Sequence, residues 1–458
     1  MLDIFLGIVF CSVLPFIFVM PSLGVLAWYI VAYAAPHHLT PGFAYNFPVS
    51  EIIGLATLAG WLLSREPKRF TIAPTMMLLL VFTVWISFTT LLAISPDFEK
   101  WRETVVKIAA AFLAFQIMRS PQRIHWLAWV SAMSVAFYGI KGGIFAIATL
   151  GAAQISGPPA STLSDNNDVA VAFVMVLPLL SYARAATQSA VLKVGYAASI
   201  ALTSLSVLVT YSRGGLLAIG ATGIYFWLKS RHKLIIALLF ALAVGGAMSL
   251  MPEKWFARME SIGQYGTDAS VQGRFNAWNH AFNIVKARPL IGGGFGTFTA
   301  PVYAEYSPGV KSLAGHSIYF ECLGEQGIVG LGLFLAIWLS AFRDARRTIR
   351  LAREREDLKN MGELARMLQI SLIGYAIGGA FLSLTYFELF YGLVVLCAAT
   401  RFVVEDKLSQ PSEAVGPQPT GSVRTSSPKY GRAIGWVPRP ALRRPQNAIG
   451  IGRKGITS

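Results

Sequence analysis

Apolar residues run along this chain in long continuous stretches, separated for the most part by short polar connections. Some ~20 apolar residues carry a helix across a bilayer. About thirteen stretches approach that length: 2–20, 22–35, 50–64, 73–94, 103–118, 125–150, 168–183, 194–211, 214–229, 233–250, 317–342, 367–385 and 388–404. None shows the period-two alternation of a barrel strand, and in lipid only helices or closed barrels satisfy their own backbone. The pattern predicts an all-α polytopic membrane protein with about 12–13 transmembrane helices. One long polar stretch, 251–315, breaks the rhythm and is followed at once by His316 in the run H-S-I-Y-F-E-C-L-G-E-Q-G-I-V-G. A large loop held against a helical bundle is where a working surface is expected.

Composition agrees with this reading. The chain is 54% hydrophobic and 14% charged, with a mean hydropathy of +0.55. Cys11, Cys322 and Cys397 all fall in apolar segments, which suits small packing residues better than a disulfide framework or a metal site. The first residues, Met-Leu-Asp, lack a basic leader, so the first stretch reads as a retained helix. Basic clusters at Arg65–Arg69, Arg119–Arg123, Arg184–Lys193, Lys229–Lys233, Arg343–Arg366 and beyond Lys407 all fall on the cytoplasmic side if the chain starts outside. The loops at 36–49, 95–102 and 151–167, the turn at 211–214 and the loop 251–315 are then extracytoplasmic. The net charge of +16 is thereby assigned to topology and contact with membrane lipids rather than to nucleic acid. The chain divides into N-terminal membrane helices (1–150), core membrane helices (151–250), the periplasmic loop (251–315), C-terminal membrane helices (316–404) and a basic cytoplasmic tail (405–458). From Ser409 to Ser458 that tail is rich in Pro, Gly, Ser and Arg, a composition that predicts disorder.

An ionisable residue inside a membrane segment is costly and marks a functional candidate. Lys107, Lys141, Arg213 and Glu388 all fall in the outer half of their helices or at the outer surface, although Lys107 and Arg213 also have stems long enough to snorkel. Arg213 stands in the Y-S-R-G-G turn, which brings backbone N–H groups and a guanidinium together at a helix start, an arrangement suited to phosphate. In the loop, Phe275, Trp278, Phe282 and Val285 recur at helical spacing after Arg274 and predict an amphipathic helix on the membrane surface. Pro289 and the run Gly292–Gly296 end it. That glycine run follows no strand and precedes no Gly-Lys-Ser/Thr, so it reads mainly as a tight turn. His316 opens the next helix. Such a residue is most often capping or solvated, but this one closes the loop that holds Arg274 and faces the side of Arg213. Neutral near pH 7, it could take a hydroxyl proton. Glu325, deeper in the same helix, needs a buried cation, and Lys141 is the candidate. Asn167 precedes a helix start, where it could bind sugar or cap. The six histidines do not cluster beyond His37–His38, so no metal site and no cofactor are expected.

Three motifs occur in order: Y-S-R-G-G; G-R-x-x-x-W followed by R-P-L-I-G-G-G; and H-S-I-Y-x-x-x-L-G-E-x-G-I-V-G. Together, over about residues 150–400, they resemble the superfamily of O-antigen ligases and Wzy-type polymerases. In the front half, F-A-Y-N-F-P, Y-G-I-K-G-G-I-F and G-P-P-A-S-T-L-S-D-N-N are more narrowly similar to the O-glycosylation ligase-like proteins of exosortase systems. The resemblance implies a metal-independent, inverting glycosyltransferase of the bacterial inner membrane with a periplasmic active face. Its donor would be an undecaprenyl-diphosphate-linked glycan and its acceptor a lipid, protein or glycan hydroxyl. Carried over by motif, Arg213 and Arg274 become diphosphate ligands and His316 the base, with Lys141, Asn167 and Glu388 as further substrate-binding or structural candidates. A polymerase joining repeat units remains open, as do a transporter of lipid-linked sugar, which would favour internal repeats not seen here, and a non-catalytic scaffold.

Overall fold

A computed structural model describes residues 2–409, apart from Pro67, Arg69, Ala160 and the segments 230–232, 235–237, 239–244, 247–250, 254 and 257–268. Within the described residues the apolar stretches form helices: α1 (Leu2–Val19), α2 (Pro21–Ala34), α3 (Val49–Leu63), α4 (Pro74–Leu91), α5 (Phe98–Ile117), α6 (Pro121–Ala148), α7 (Asn166–Ala186), α8 (Ala190–Val209) and α9 (Arg213–Lys229). The loop then contributes α10 (Ala269–Ala287) and the short α11 (Ala300–Tyr306). After it come α12 (Ile318–Leu351), α13 (Lys359–Gly378) and α14 (Glu388–Ser409). The stretch 233–250 and the expected disordered tail from 410 onward lie largely or wholly outside the described residues. No strand occurs among the described residues, and the chain is an all-helical polytopic membrane protein. Among the described residues, six helices are individually long and apolar enough to span a bilayer: α4, α6, α7, α8, α12 and α13, the last two counted with their flanking turns.

Local sequence sets the helix starts. Proline occupies the first turn of α2, α4 and α6, where its missing N–H costs nothing, and Asp97, Ser120, Asp165, Ser189 and Ser317 cap the helices that follow them. A helix apolar on every side belongs in the centre of a bundle. Accordingly α7, buried continuously from Val169 to Val176, packs against α6, α8, α9 and α13. The apolar run of α14 from Leu389 to Thr400 is likewise buried, between α5, α6, α12 and α13.

Cross-chain contacts sort the bundle into two ends. At one, Arg123 pairs with Glu66, Arg119 Nη1 donates to Thr71 Oγ1 at 3.1 Å, Arg401 meets Asp344 at 2.6 Å, and Arg355 donates to the carbonyl of Lys407. Arg119, Arg123 and Arg355 come from the basic clusters of the sequence. At the other end the starts of α7, α9 and α12 meet the turn after α13. There α12 breaks: Gly327 has φ 68° and ψ −171°, detaching the segment Ile318–Gln326 from the rest of the helix.

Candidate functional site

The Y-S-R-G-G turn is tightly specified. Tyr211 adopts φ 58°, and its hydroxyl donates to Gly151 O at 2.9 Å. Asn166 Nδ2 and Gln154 Nε2 donate to Thr210 O at 2.8 and 3.2 Å, stapling the 151–167 loop to the turn. Ser212 Oγ accepts the Gly215 N–H at 3.1 Å, so α9 begins with a serine cap and places half-buried Arg213 at its first residue. Gly215 is needed for packing, because a Cβ there would lie 2.7 Å from Ala170 Cβ on α7. Gly214, by contrast, leaves open room: its nearest neighbour would be Phe381 at 3.7 Å.

His316 leans on the other side of the same segment. Its N–H donates to Ser383 Oγ at 2.8 Å, and its φ of 48° turns the chain into the Ser317 cap of α12. Thr385 continues the brace, donating from Oγ1 to Ile318 O at 2.9 Å and from its N–H to Glu321 Oε2 at 3.2 Å. Arg274, in the second turn of α10, is half-buried. It is carried against α12 by Trp278, which stacks on Phe320 with centroids 4.8 Å apart. His316 lies in electrostatic reach of Arg274, Asp165 and Glu321. Burial, then the Arg274 guanidinium, pull its pKa below the ordinary histidine value against the two carboxylates, and the imidazole is held in its neutral, proton-accepting form.

The predicted amphipathic helix exists, but a different face does its packing. Ala277, His280, Ala281 and Ile284 are buried, while Phe275 and Phe282 are each 46% exposed. Fully buried His280 organises the loop: its ring stacks on Tyr303 at 3.7 Å, Nε2 contacts Thr297 O at 3.0 Å and Nδ1 contacts Ser307 Oγ at 2.9 Å. The glycine run is a clasp. Gly293 and Gly294 donate to the carbonyls of Gly324 and Glu325, and Ile328 donates to Pro289 O, so this loop takes up backbone groups freed by the Gly327 break. It is joined in turn to the α4–α5 corner through Ile94 N–H to Gly293 O and Asp97 N–H to Phe295 O.

Several sequence-selected residues land elsewhere. The cation for Glu325 is Lys100, not Lys141: Lys100 Nζ lies 2.8 Å from Glu325 Oε1 and 3.0 Å from Glu321 Oε1. Lys141 is exposed on α6, because the neighbouring Gly142 and Gly143 are the ones that turn inward, to Ser206 and the Leu202 backbone of α8. Glu388 pairs with Lys107 at 2.7 Å and accepts from Thr162 at 3.1 Å. Asp165 rather than Asn167 caps α7. Asn167 lies within the first turn and gives both its backbone and side-chain N–H to Asp165 Oδ1. The structure thus gathers His316, Arg274, Asp165 and Glu321, and sets Arg213 on the segment that braces His316. Asp165, Glu321 and Lys100 escaped sequence reasoning: an aspartate before a helix reads as a cap, and Lys100 within F-E-K-W-R-E reads as solvated.

Residues 198–335 match the O-antigen ligase family. The chain carries an O-antigen ligase domain. Arg213, Arg274 and His316 all lie inside it, whereas Lys141, Asn167 and Glu388 lie outside. Residues 1–188 match a family of unknown function, DUF5935. No curated protein matches the chain. The O-antigen ligase domain points to a glycosyl-transferring membrane enzyme. It contains the α9 turn, α10, the glycine clasp and the start of α12, which are the elements that surround His316.

Proposed function

We propose that the protein transfers a glycan from an undecaprenyl-diphosphate donor to an acceptor hydroxyl on the periplasmic face of the inner membrane. The observation that carries this reading is the meeting, within the O-antigen ligase domain, of a neutral His316 with Arg274, beside the segment against which the Arg213 turn packs. The acceptor oxygen forms the new bond to the anomeric carbon from the face opposite the diphosphate. The bond from that carbon to the diphosphate oxygen breaks, inverting the configuration. The acceptor proton passes to the His316 imidazole, and the electron pair leaves on the diphosphate. Arg213 and Arg274 meet that growing charge, the task that electrostatic stabilisation performs in transfer reactions generally. With cations supplied by the chain, transfer needs no divalent metal and persists in a chelator.

The periplasmic assignment draws on the separation of the two ends, since the basic clusters that favour the cytoplasm gather opposite His316. A ligase fits this site, and so does a Wzy-type polymerase, because both use the same donor chemistry. Deleting the gene and running surface and secreted glycans on a gel separates them. Loss of attached glycan with accumulation of full-length lipid-linked chains is the expected result, and a collapse to single repeat units would make the protein a polymerase. Complementation with His316→Ala should lower transfer by about 10²–10⁴, and Arg213→Ala by about 10²–10³. Near-normal transfer by His316→Ala would remove the base from the mechanism.

A further inference from the structure

The base-bearing end of α12 is a detached piece of helix, and much of what holds it comes from the α4–α5 corner. Trp85 Nε1 donates to Gln326 O at 2.9 Å, and Thr89 Oγ1 donates to Gln326 Oε1. Lys100 Nζ reaches both Glu321 and Glu325, whose residues are only 4% and 1% exposed. The same corner anchors the glycine clasp through Ile94 and Asp97. All five residues belong to the region that matches the family of unknown function, while the carboxylates and His316 belong to the O-antigen ligase domain.

We infer that Lys100 is a positioning residue for His316. The contacts form an unbroken chain. Lys100 holds one oxygen of Glu321, the other oxygen accepts the Thr385 N–H, and Ser383, two residues earlier, takes the His316 N–H. Lys100 also ties Glu325, one turn further along the detached segment, so the turn below His316 can neither rotate nor slide. A buried carboxylate without its cation would have to take up a proton or draw in water, and either change would displace the segment. The region of unknown function is therefore a working part of the transferase site. Glu321 has a second consequence through charge, since it favours the imidazolium of His316 alongside Asp165 and against Arg274.

This inference rests on the transferase reading, and its test uses the full-length protein in reconstituted vesicles. The probe is the undecaprenyl-diphosphate-linked glycan extracted from cells lacking the gene, with acceptor-bearing membranes from the same cells. Lys100→Gln should lower kcat by about tenfold or more while leaving the donor KM within about twofold. Lys100→Arg, which keeps the charge, should recover a large part of the loss. Glu321→Gln, which removes the carboxylate that Lys100 holds, should lower kcat in the same way and also move the acid limb of the rate profile to lower pH, because a carboxylate that favours the imidazolium is gone. Wild-type kcat in Lys100→Gln would overturn the inference while leaving the transferase reading intact. If Lys100→Gln fails to accumulate as folded protein, wild-type kcat in Glu321→Gln overturns it instead. Failure of the wild-type protein to consume the donor would instead remove the transferase reading, and this inference with it.

Discussion

His316 keeps a backbone conformation that most residues avoid, with φ 48°, held by the bond from its N–H to Ser383. Positive φ in a non-glycine residue costs on the order of 1 kcal/mol or more and persists where the surroundings enforce it, often at working sites. The side chain is tuned as well. Arg274 disfavours the imidazolium, so replacing it with Gln should raise the His316 pKa and shift the acid limb of the residual activity to higher pH. A pH–rate profile of the Arg274→Gln protein checks this, and a shift to lower pH would contradict the charge map around His316. His280 supplies a second pH effect of a different kind. Because Thr297 O can only accept, Nε2 carries a proton, and in the neutral ring Nδ1 accepts from Ser307 Oγ. Burial lowers its pKa from the ordinary 6.5. Stability from this residue is therefore complete above that value and is lost as pH falls through it toward the folded value. Hydrogen-exchange protection over residues 269–315, corrected for the intrinsic pH dependence of exchange, should fall as pH drops below the ordinary histidine value, and His280→Asn should flatten that dependence.

The helices were readable because lipid allows little else, and a continuous apolar run states its own length. The glycine run 292–296 was legible as a turn but not as a clasp. Its purpose depends on a break at Gly327, which the regular apolar spacing of α12 conceals. The packing face of α10 was not legible. The aromatic stripe was expected on the membrane surface, and the close approach to α12 is made by Ala281 against Gly324, small residues with no hydrophobic signal. The clasp makes a sharp prediction. Gly296 has φ 96°, and a Cβ there would lie 1.9 Å from Ser95 O, so Gly296→Ala should cost about 2 kcal/mol or more. Gly332, further along α12, has nothing within 4 Å of a built Cβ, and Gly332→Ala should stabilise by about 0.5–1 kcal/mol. Thermal unfolding of the two variants in the same detergent tests the contrast, and equal Tm values would mean that the clasp does not hold α12.

Across the whole molecule, a membrane charge announces a need without naming its partner. Cost of burial singles out Lys107, Lys141, Arg213 and Glu388 from the sequence, of which Lys141 lies exposed on α6, and loop position singles out Arg274 and His316. Pairing could not be read. Lys100 is 221 positions from Glu321 and 225 from Glu325, and Lys107 and Glu388 likewise come from opposite ends of the chain. Lys141 has the right sign for Glu325, but the fold uses Lys100, a lysine whose sequence neighbours are polar. The Lys107–Glu388 pair shows what the choice means for function. With side chains 19% and 10% exposed, both charges are satisfied by each other across α5 and α14, where sequence alone had offered Glu388 as a substrate contact. Removing one partner should cost about 3–5 kcal/mol, because it strands the other, whereas an apolar pair of similar volume should be nearly neutral. Lys107→Met and Glu388→Met should therefore each lower the yield of folded protein, and the double variant should recover both yield and glycan transfer. A double variant that folds as well as the wild type but no longer transfers glycan would return Glu388 to the substrate site, since only a lost contact with substrate would then explain the defect.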